Sequence, residues 1–418
     1  MPLRALMVAV IALALSTQTQ ASDHIDNVGS LGAHGQVDIS DLYAFFGERD
    51  CTAAPDRAAC LRDRPLTLVV NTYPGAEAGS HFSHHVAYEI LFSPGRIDDG
   101  ETLRLSQVPA AVIRCSFDDD VTPVVSTCAV IRDGERGATV SAPADTVVEI
   151  DGMRLFSGLR ADPFFYSLEH FLEVTGRPDA FPPPVAPHAA DNPYGGNSFE
   201  GINVISIVLE IDWDLIGIGA DLVGVAAHSV YCHGDAPAQF DYFGRPEITN
   251  LTLHDHSGAA PLRLAYNTGT PLKDAYRTRL RENIAAYDMI DGKQDWQPAL
   301  LDRLVEMLLE DYTVLNRAAP CEGGGAYLSI ERALLGGDAA LGCGARSLEE
   351  DIFRTMYTLF IAGLDGNEAN FGMGVDGPYS SSEKTLSPAF PYLAEAWAEQ
   401  RPHWLEFYRG AKPRQAAD

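Results

Sequence analysis

Three short groups of residues in this sequence carry atoms suited to metal chemistry. The first is Ser22-Asp23-His24. Cleavage after Ala21 would leave a free amine on Ser22, two backbone amides and the His24 imidazole. Those four nitrogens can lie in one plane around Cu(II) or Ni(II). His24 could instead pack or hydrogen-bond inside the fold and seat the N-terminus. The second group is Asp23, Asp26, Asp38 and Asp41, carboxylates on loop-like backbone that can supply hard oxygens to Ca²⁺. Asp38 and Asp41 could equally cap the start of the Leu42 segment by accepting backbone N–H bonds. The third is His254-Asp255-His256. On a strand, alternation would put both imidazoles on one face, a two-histidine pair of the kind Zn²⁺ takes.

Other polar residues have more than one reading. Arg160 and Asp162 flank Ala161 just before an expected helix start, where a carboxylate can cap and a guanidinium can form a two-pronged ion pair. They read as a structural clasp or as an anion- or substrate-binding pair. His81, His84 and His85 lie on a loop entering a strand, and His228, Cys232 and His233 lie near a strand end. Cys232 reads as a buried thiol or as a soft metal ligand beside His233.

Signatures of catalysis are missing, and no catalytic residue is assigned. There is no G-x-S-x-G elbow, no Walker pattern, no HExxH and no C-x-x-C-H. Ser381 to Lys384 spells S-x-x-K without its companion motifs. Gly372, Gly374 and Gly377 spell G-x-G-x-x-G, but after a helix rather than a strand. The oxygen-rich turns at 365–368 and 376–377 do not meet the EF-hand spacing.

The N-terminus and the cysteines indicate the compartment. Arg4 precedes an apolar run from Leu6 to Ser16, and Thr19-Gln20-Ala21 supplies a peptidase site, so residues 1–21 read as a signal peptide. The apolar run is about a dozen residues, short of the ~20 that span a bilayer. No later stretch is long enough either, so no membrane span is expected after cleavage near Ala21. The product would be periplasmic or secreted. Cysteines sort by proximity into Cys51 with Cys60, Cys115 with Cys128, and Cys321 with Cys343, leaving Cys232 alone. Six cysteines allow 15 connectivities, and short loops favour this one. Without any CxxC, disulfides are favoured over zinc.

Charge narrows the partners. Thirty basic against 58 acidic side chains give −28, and losing Arg4 with the leader adds one negative unit. Such a surface repels phosphate backbones, which argues against nucleic acid. It suits high solubility, divalent cations or cationic partners.

The elements that must hold these residues are mostly strands. Pro65–Tyr73, Val86–Phe92, Thr102–Val108, Ala111–Phe117, Val124–Arg132, Thr139–Val140 and Val147–Ile150 are short β-rich runs separated by Gly, Pro or Asp. Ile202–Ile211 and Leu222–Tyr231 are nearly continuous in apolar residues, as in central strands covered on both faces. Helical spacing is found over Pro163–Val174, Ala299–Leu315 and Leu348–Ala362, and the pattern is helical from Leu272 onward. The fold class is therefore mainly β (α+β), an antiparallel β-sandwich-like body with a helical C-terminal region. The organisation expected is a β body over 22–270 and a helical region over 271–418 packed on it, in one domain.

Several phrases in order resemble a recognised group. They are Ser22-Asp23-His24, Asp38-Ile39-Ser40-Asp41-Leu42-Tyr43-Ala44-Phe45, Phe156-Ser157-Gly158-Leu159-Arg160-Ala161-Asp162-Pro163-Phe164-Phe165, Phe199-Glu200-Gly201-Ile202-Asn203-Val204, Gly244-Arg245-Pro246 and Phe390-Pro391-Tyr392-Leu393. From about Ser22 to Leu393 the chain is similar to the bacterial exported proteins grouped as "domain of unknown function 4331". The resemblance implies secretion and no established reaction. The family phrase usually reads Arg-Asp-Asp-Pro-Phe-Phe, and here Ala161 replaces its first Asp. His84 and His85 also precede Tyr88-Glu89 where the family has acidic or amide residues.

The function expected is that of a non-catalytic periplasmic or secreted binding protein for a divalent metal (Cu, Ca or Zn), held through the N-terminal segment. A metal-dependent hydrolase or oxidoreductase using some of His24, His228, His254 and His256 is the alternative. A cell-envelope module that meets a small ligand or an envelope protein is another. Mass spectrometry of the protein from its native compartment is expected to find Ser22 as the first residue. An intact leader on a reduced, cytosolic product would overturn the export reading.

Overall fold

The computed structural model describes residues 35–47, 49–165, 197, 199–232, 237–253, 261–321, 326–336, 340–366 and 384–400. In chain order the strands are β1 (Ile39–Phe46), β2 (Leu66–Thr72), β3 (Val86–Asp98), β4 (Thr102–Leu105), β5 (Ala111–Asp118), β6 (Val125–Arg132), β7 (Glu135–Pro143), β8 (Val148–Ile150), β9 (Met153–Ala161), β10 (Asn203–Ile211), β11 (Leu222–Tyr231), β12 (Ala238–Phe243) and β13 (Thr313–Asn316). The helices are α1 (Arg57–Arg62), α2 (Trp213–Ile216), α3 (Pro261–Asn267), α4 (Lys273–Asp288), α5 (Pro298–Leu309), α6 (Ser329–Gly336) and α7 (Ile352–Ala362).

Period-two alternation sorts these strands into two antiparallel sheets. One is five-stranded, ordered β1-β2-β10-β9-β8; the other is eight-stranded, with the path β12-β11-β3-β5-β6-β7, β13 added on β11 and β4 on β3. Their facing sides meet in one core. Leu68, Val70, Ile205 and Ile207 come from the first sheet, and Ile90, Phe92, Ile113 and Val225 from the second. Burying each of these contributes roughly 1.5–3 kcal/mol. The expected mainly β sandwich is what the chain forms. β10 and β11 are buried on both faces, as their continuous apolar runs require.

The outer faces are covered too. Tyr276, Leu280 and Ile284 of α4, Leu304 and Leu308 of α5, and Phe353, Met356 and Phe360 of α7 share a core with Leu103, Leu105 and Leu222 of the eight-stranded sheet. The chain leaves that sheet after β12 and returns as β13, which pairs with β11 from Leu222↔Asn316 to Val225↔Thr313. On the five-stranded sheet the cover is the segment 384–400, which has no helix; its Leu393 packs with Tyr43, Val69, Phe156 and Val208.

Gly244 and Arg245 fix the departure from β12. The Arg245 guanidinium donates to Glu331 Oε1 at 2.7 Å and to the carbonyls of Glu310 at 2.7 Å and Met307 at 3.2 Å. Its backbone N–H donates to Asp311 Oδ1 at 2.6 Å. Gly244 is required here, because a Cβ would lie 1.9 Å from the Asp311 carbonyl oxygen.

Some elements differ from the periodicity. The helical stripe over Ala299–Leu315 divides: α5 ends at Leu309 and Thr313–Asn316 is β13, because β-branched Thr313 and Val314 find a partner strand. The Leu42 segment is a strand, so Asp38 and Asp41 have no helix there to cap. α7 starts at Ile352, where Asp351 Oδ1 accepts from Arg354 N at 3.0 Å. Only 163–165 of the helix expected over Pro163–Val174 lie among the described residues, and they are not helical. β9 and β12 carry no strand expectation in the sequence.

The bridges Cys51–Cys60, Cys115–Cys128 and Cys321–Cys343 form as their proximity suggested, and Cys232 keeps a free thiol. Among the described residues no helix is long and apolar enough to cross a membrane. Gly244→Ala is expected to cost roughly 1–3 kcal/mol through overpacking, read as a lower Tm. Gly219→Ala, where a Cβ meets nothing within 4 Å, is the control and should leave Tm nearly unchanged.

Candidate functional site

The outer face of the five-stranded sheet is built in rows. Tyr43, Val69, Val208 and Phe156 are in register and make an apolar row. On one side of it Thr67, Glu210 and Arg154 make a charged row, with Arg154 3.0 Å from Glu210 and the Tyr392 hydroxyl donating to Glu210 at 2.5 Å. On the other side Asp41, Asn71, Ser206 and Gly158 make a polar row. Asp41, Asn71 and Ser206 are all fully buried. A buried polar row is costly unless each group is paired.

Pairing in that row is incomplete. Ser206 Oγ donates to Asn71 Oδ1 at 2.7 Å, while Asn71 Nδ2 is buried with no hydrogen-bond partner among the described residues. Asp41 meets Arg346, whose guanidinium donates to Asp41 Oδ1 at 2.7 Å and to the Leu42 carbonyl at 2.9 Å, and lies 4.1 Å over the Tyr43 ring.

Asp162 follows β9 directly, four residues along the chain from Gly158. Strand alternation puts Gly158, Arg160 and Asp162 on the same face as the Asp41 row. The Asp162 N–H donates to the Ile202 carbonyl at 2.9 Å, and its Oδ1 accepts from Phe164 N at 3.0 Å. Oδ2 is buried and has no hydrogen-bond partner among the described residues. Burial, with the Asp41 charge beside it, holds this carboxyl well above the usual carboxylate range; Phe164 N and Arg346 offset only part.

Arg160 and Asp162 do not close on each other. Arg160 stacks 4.1 Å over Phe156, donates to the Leu159 carbonyl and lies 3.8 Å from Asp145, so the clasp joins strand to loop rather than arginine to Asp162. Asp38 is turned toward a different neighbourhood from Asp41. It and Asp241 both act on Tyr88, whose hydroxyl is pushed up first by burial and then by those two charges. Asp241 Oδ2 accepts from Ile39 N at 2.8 Å. The charge of Asp41 thus acts on Asp162, and that of Asp38 on Tyr88.

Segment 384–400 latches over the polar end. Asn203 Nδ2 donates to the Trp397 carbonyl at 3.0 Å, and Trp397 N donates back to Asn203 Oδ1 at 2.7 Å. Gln400 Oε1 accepts from Asn203 N at 3.0 Å, while Gln400 Nε2 donates to the Ala76 carbonyl at 2.8 Å.

A second polar row crosses the outer face of the eight-stranded sheet. His228, Glu89 and Arg114 are direct cross-strand neighbours on β11, β3 and β5. His228 Nε2 is 2.7 Å from Glu89 Oε2, and Arg114 donates to Glu89 Oε1 at 2.6 Å and to Cys232 Sγ at 3.3 Å. The His228 hydrogen bond holds Glu89 below its ordinary value against burial, with help from Arg114. Both carboxylate oxygens of Glu89 are thus engaged. Among the described residues no three His, Cys, Asp or Glu side chains converge to hold a metal ion.

Ser22, Asp23, His24, Asp26, His233, His254 and His256 lie outside the described residues. Sequence reasoning singled out Asp41 as a metal ligand and Asp162 as part of a clasp, and did not single out Asn71, Ser206 or Arg346. Strand alternation over Leu66–Thr72 was the signal that could have placed Asn71 on an outer face; nothing local marks Arg346. Comparison with family models, with curated proteins and with solved structures gives no match.

Glu350 makes the surroundings sensitive to pH. Its Oε2 accepts from Ala326 N at 3.2 Å, and burial pushes its carboxyl up to about 7. Between its ordinary value near 4.5 and about 7, the unfolded chain has lost this proton while the folded chain keeps it. Folding stability therefore falls as pH rises through that window, by roughly 3 kcal/mol for this group, and no further above it. Glu350→Gln keeps an acceptor and has nothing to ionise. Chemical denaturation at pH 4.5 and pH 8 is expected to show a smaller loss for the variant than for the parent, and equal losses would refute the assignment.

Proposed function

We propose that this protein is an exported, non-catalytic binding protein for a divalent metal ion, and that the ion sits at the polar end of the five-stranded sheet. The observation that carries this reading is Asp162, a carboxyl 3% exposed whose Oδ2 lacks a hydrogen-bond partner among the described residues and on which the charge of Asp41 also acts. Burial favours the neutral form of Asp162, and a bound cation would supply the counter-charge that its carboxylate form needs. Export is supported by the leader pattern and by three disulfides, which persist in oxidising compartments. The resemblance to the domain of unknown function 4331 group points the same way and adds no reaction.

Purified full-length mature protein should carry a divalent metal above the buffer level, or take one up after stripping with a chelator and titration with Cu²⁺, Zn²⁺ or Ca²⁺. Asp162→Asn is expected to abolish uptake at this site, while His24→Ala leaves it. Metal content equal to buffer, with no uptake of any of the three, would remove the reading. Loss through His24→Ala alone would move the ion to the N-terminus.

A further inference from the structure

We infer that His84 and His85 form a second, separate metal site, that its ion is Zn²⁺, and that Asp119 aims the His84 ring at it. This site belongs to the other sheet. The two histidines immediately precede β3, and Asp119 immediately follows β5. Val86, the first residue of β3, pairs with Tyr231, so both histidines stand beyond the end of that ladder, on a turn.

Two contacts meet at His84. Its ring centre is 3.9 Å from that of His85, with a tilt of 53° between the planes. Its Nδ1 meets Asp119 Oδ1. An ionised carboxylate only accepts, so in the neutral ring Nδ1 carries the proton and Nε2 keeps its lone pair. Burial works against the Asp119 charge, but the hydrogen bond to His84, with backbone donors, outweighs it and holds the carboxyl below its ordinary value. A carboxylate on one ring nitrogen with a metal on the other is the usual way a ligating histidine is held. The Asp119 side chain is 14% exposed and that of His84 49%, so the anchor is enclosed while the ring it holds is open to solvent. An ion pair between His84 and Asp119 would join two loops without using the His85 ring; a shared ion uses both rings.

Imidazole nitrogen suits Zn²⁺, Cu²⁺ and Ni²⁺, whereas Ca²⁺ and Mg²⁺ take oxygen. Zn²⁺ is four-coordinate and accepts water where the protein leaves a position open. Two imidazoles and two waters complete its sphere, which agrees with the absence of a cluster of three His, Cys, Asp or Glu ligands among the described residues. Two imidazoles on one tetrahedral ion have ring centres roughly 5 Å apart, so the rings part by about an ångström on binding. Rotation of the half-exposed His84 side chain supplies that movement. Asp118, Asp119 and Asp120 run consecutively at the end of β5, in a chain of net charge −28, and such a surface concentrates cations. With two protein donors the ion is held more weakly than in a closed four-ligand site and exchanges with solvent.

Calorimetric titration of the metal-free, full-length mature protein with ZnCl₂ tests this. Cu²⁺ and Ni²⁺ are left out because a Ser22-Asp23-His24 start would compete for them. His84→Ala and His85→Ala are each expected to lose one bound Zn²⁺, and Asp162→Asn is expected to keep it. Asp119→Asn should weaken that Zn²⁺ by roughly 10–100-fold, the usual effect of removing a carboxylate that orients a ligand. Tm in EDTA checks folding, and His84→Gln or His85→Gln replaces any alanine variant that does not fold. Zn²⁺ should also protect His84 and His85 of the parent from diethyl pyrocarbonate, read by peptide mass. Zn²⁺ stoichiometry unchanged in both histidine variants, no protection, or no Zn²⁺ binding by the parent would overturn the inference. Zn²⁺ lost in Asp162→Asn and kept in the histidine variants would overturn it and leave the site on the five-stranded sheet standing. Unchanged affinity in Asp119→Asn would remove Asp119 from its part.

Discussion

Arg346 sets the terms for the rest of the five-stranded sheet. A guanidinium with 1% of its side-chain surface exposed is costly to desolvate, and it stays charged inside only with full compensation. Asp41, the Leu42 carbonyl and the face of Tyr43 provide that compensation, and Arg346 also exchanges two backbone hydrogen bonds with Ala44. β1 is the first strand of its sheet, so these bonds cover an edge that would otherwise present unpaired backbone groups. Removing the arginine would uncover the edge and leave Asp41 buried without its countercharge at the same time.

The helical layer is joined to the other sheet by the same device. Arg245 is buried where β12 ends, and burial alone would strip its proton more easily; the charges of Glu331 and Asp311 outweigh that and hold it protonated. Asp311 also accepts from the Tyr266 hydroxyl, and its carbonyl accepts from Tyr242. One acid thus ties α3, β12 and the segment before β13 together. In both places a strongly acidic chain commits an arginine to its interior, where a fork of donors can satisfy several carbonyls and a carboxylate at once. Lysine, a point charge, would leave part of either network unmet.

Much of the sandwich was legible because its strands announce themselves. β2, β3, β5, β6, β10 and β11 are β-branched runs ended by turn residues, and periodicity marks their type. β9 was not legible: Phe-Ser-Gly-Leu-Arg is too polar and too rich in glycine to read as an interior strand, yet it is held between β8 and β10. β13 was hidden inside a helical stripe, because Leu-Glu-Asp-Tyr-Thr-Val-Leu continues the 3.6 spacing until pairing with β11 overrides it. The acids of the site were visible one by one. The influence of Asp41 on Asp162 was not, since they belong to different strands of a sheet whose order periodicity cannot give. Asn71 looked like an interruption in an apolar strand, and Arg346 had no local signal at all.

The two outer faces differ in how their buried polar groups are matched. On the eight-stranded sheet Glu89 keeps 19% of its side-chain surface exposed and is matched on both oxygens, by His228 and by Arg114. On the five-stranded sheet the acids are buried more completely: Arg346 donates to Asp41, while an oxygen of Asp162 and a nitrogen of Asn71 find no partner among the described residues. Burial raises the cost of each unmet atom.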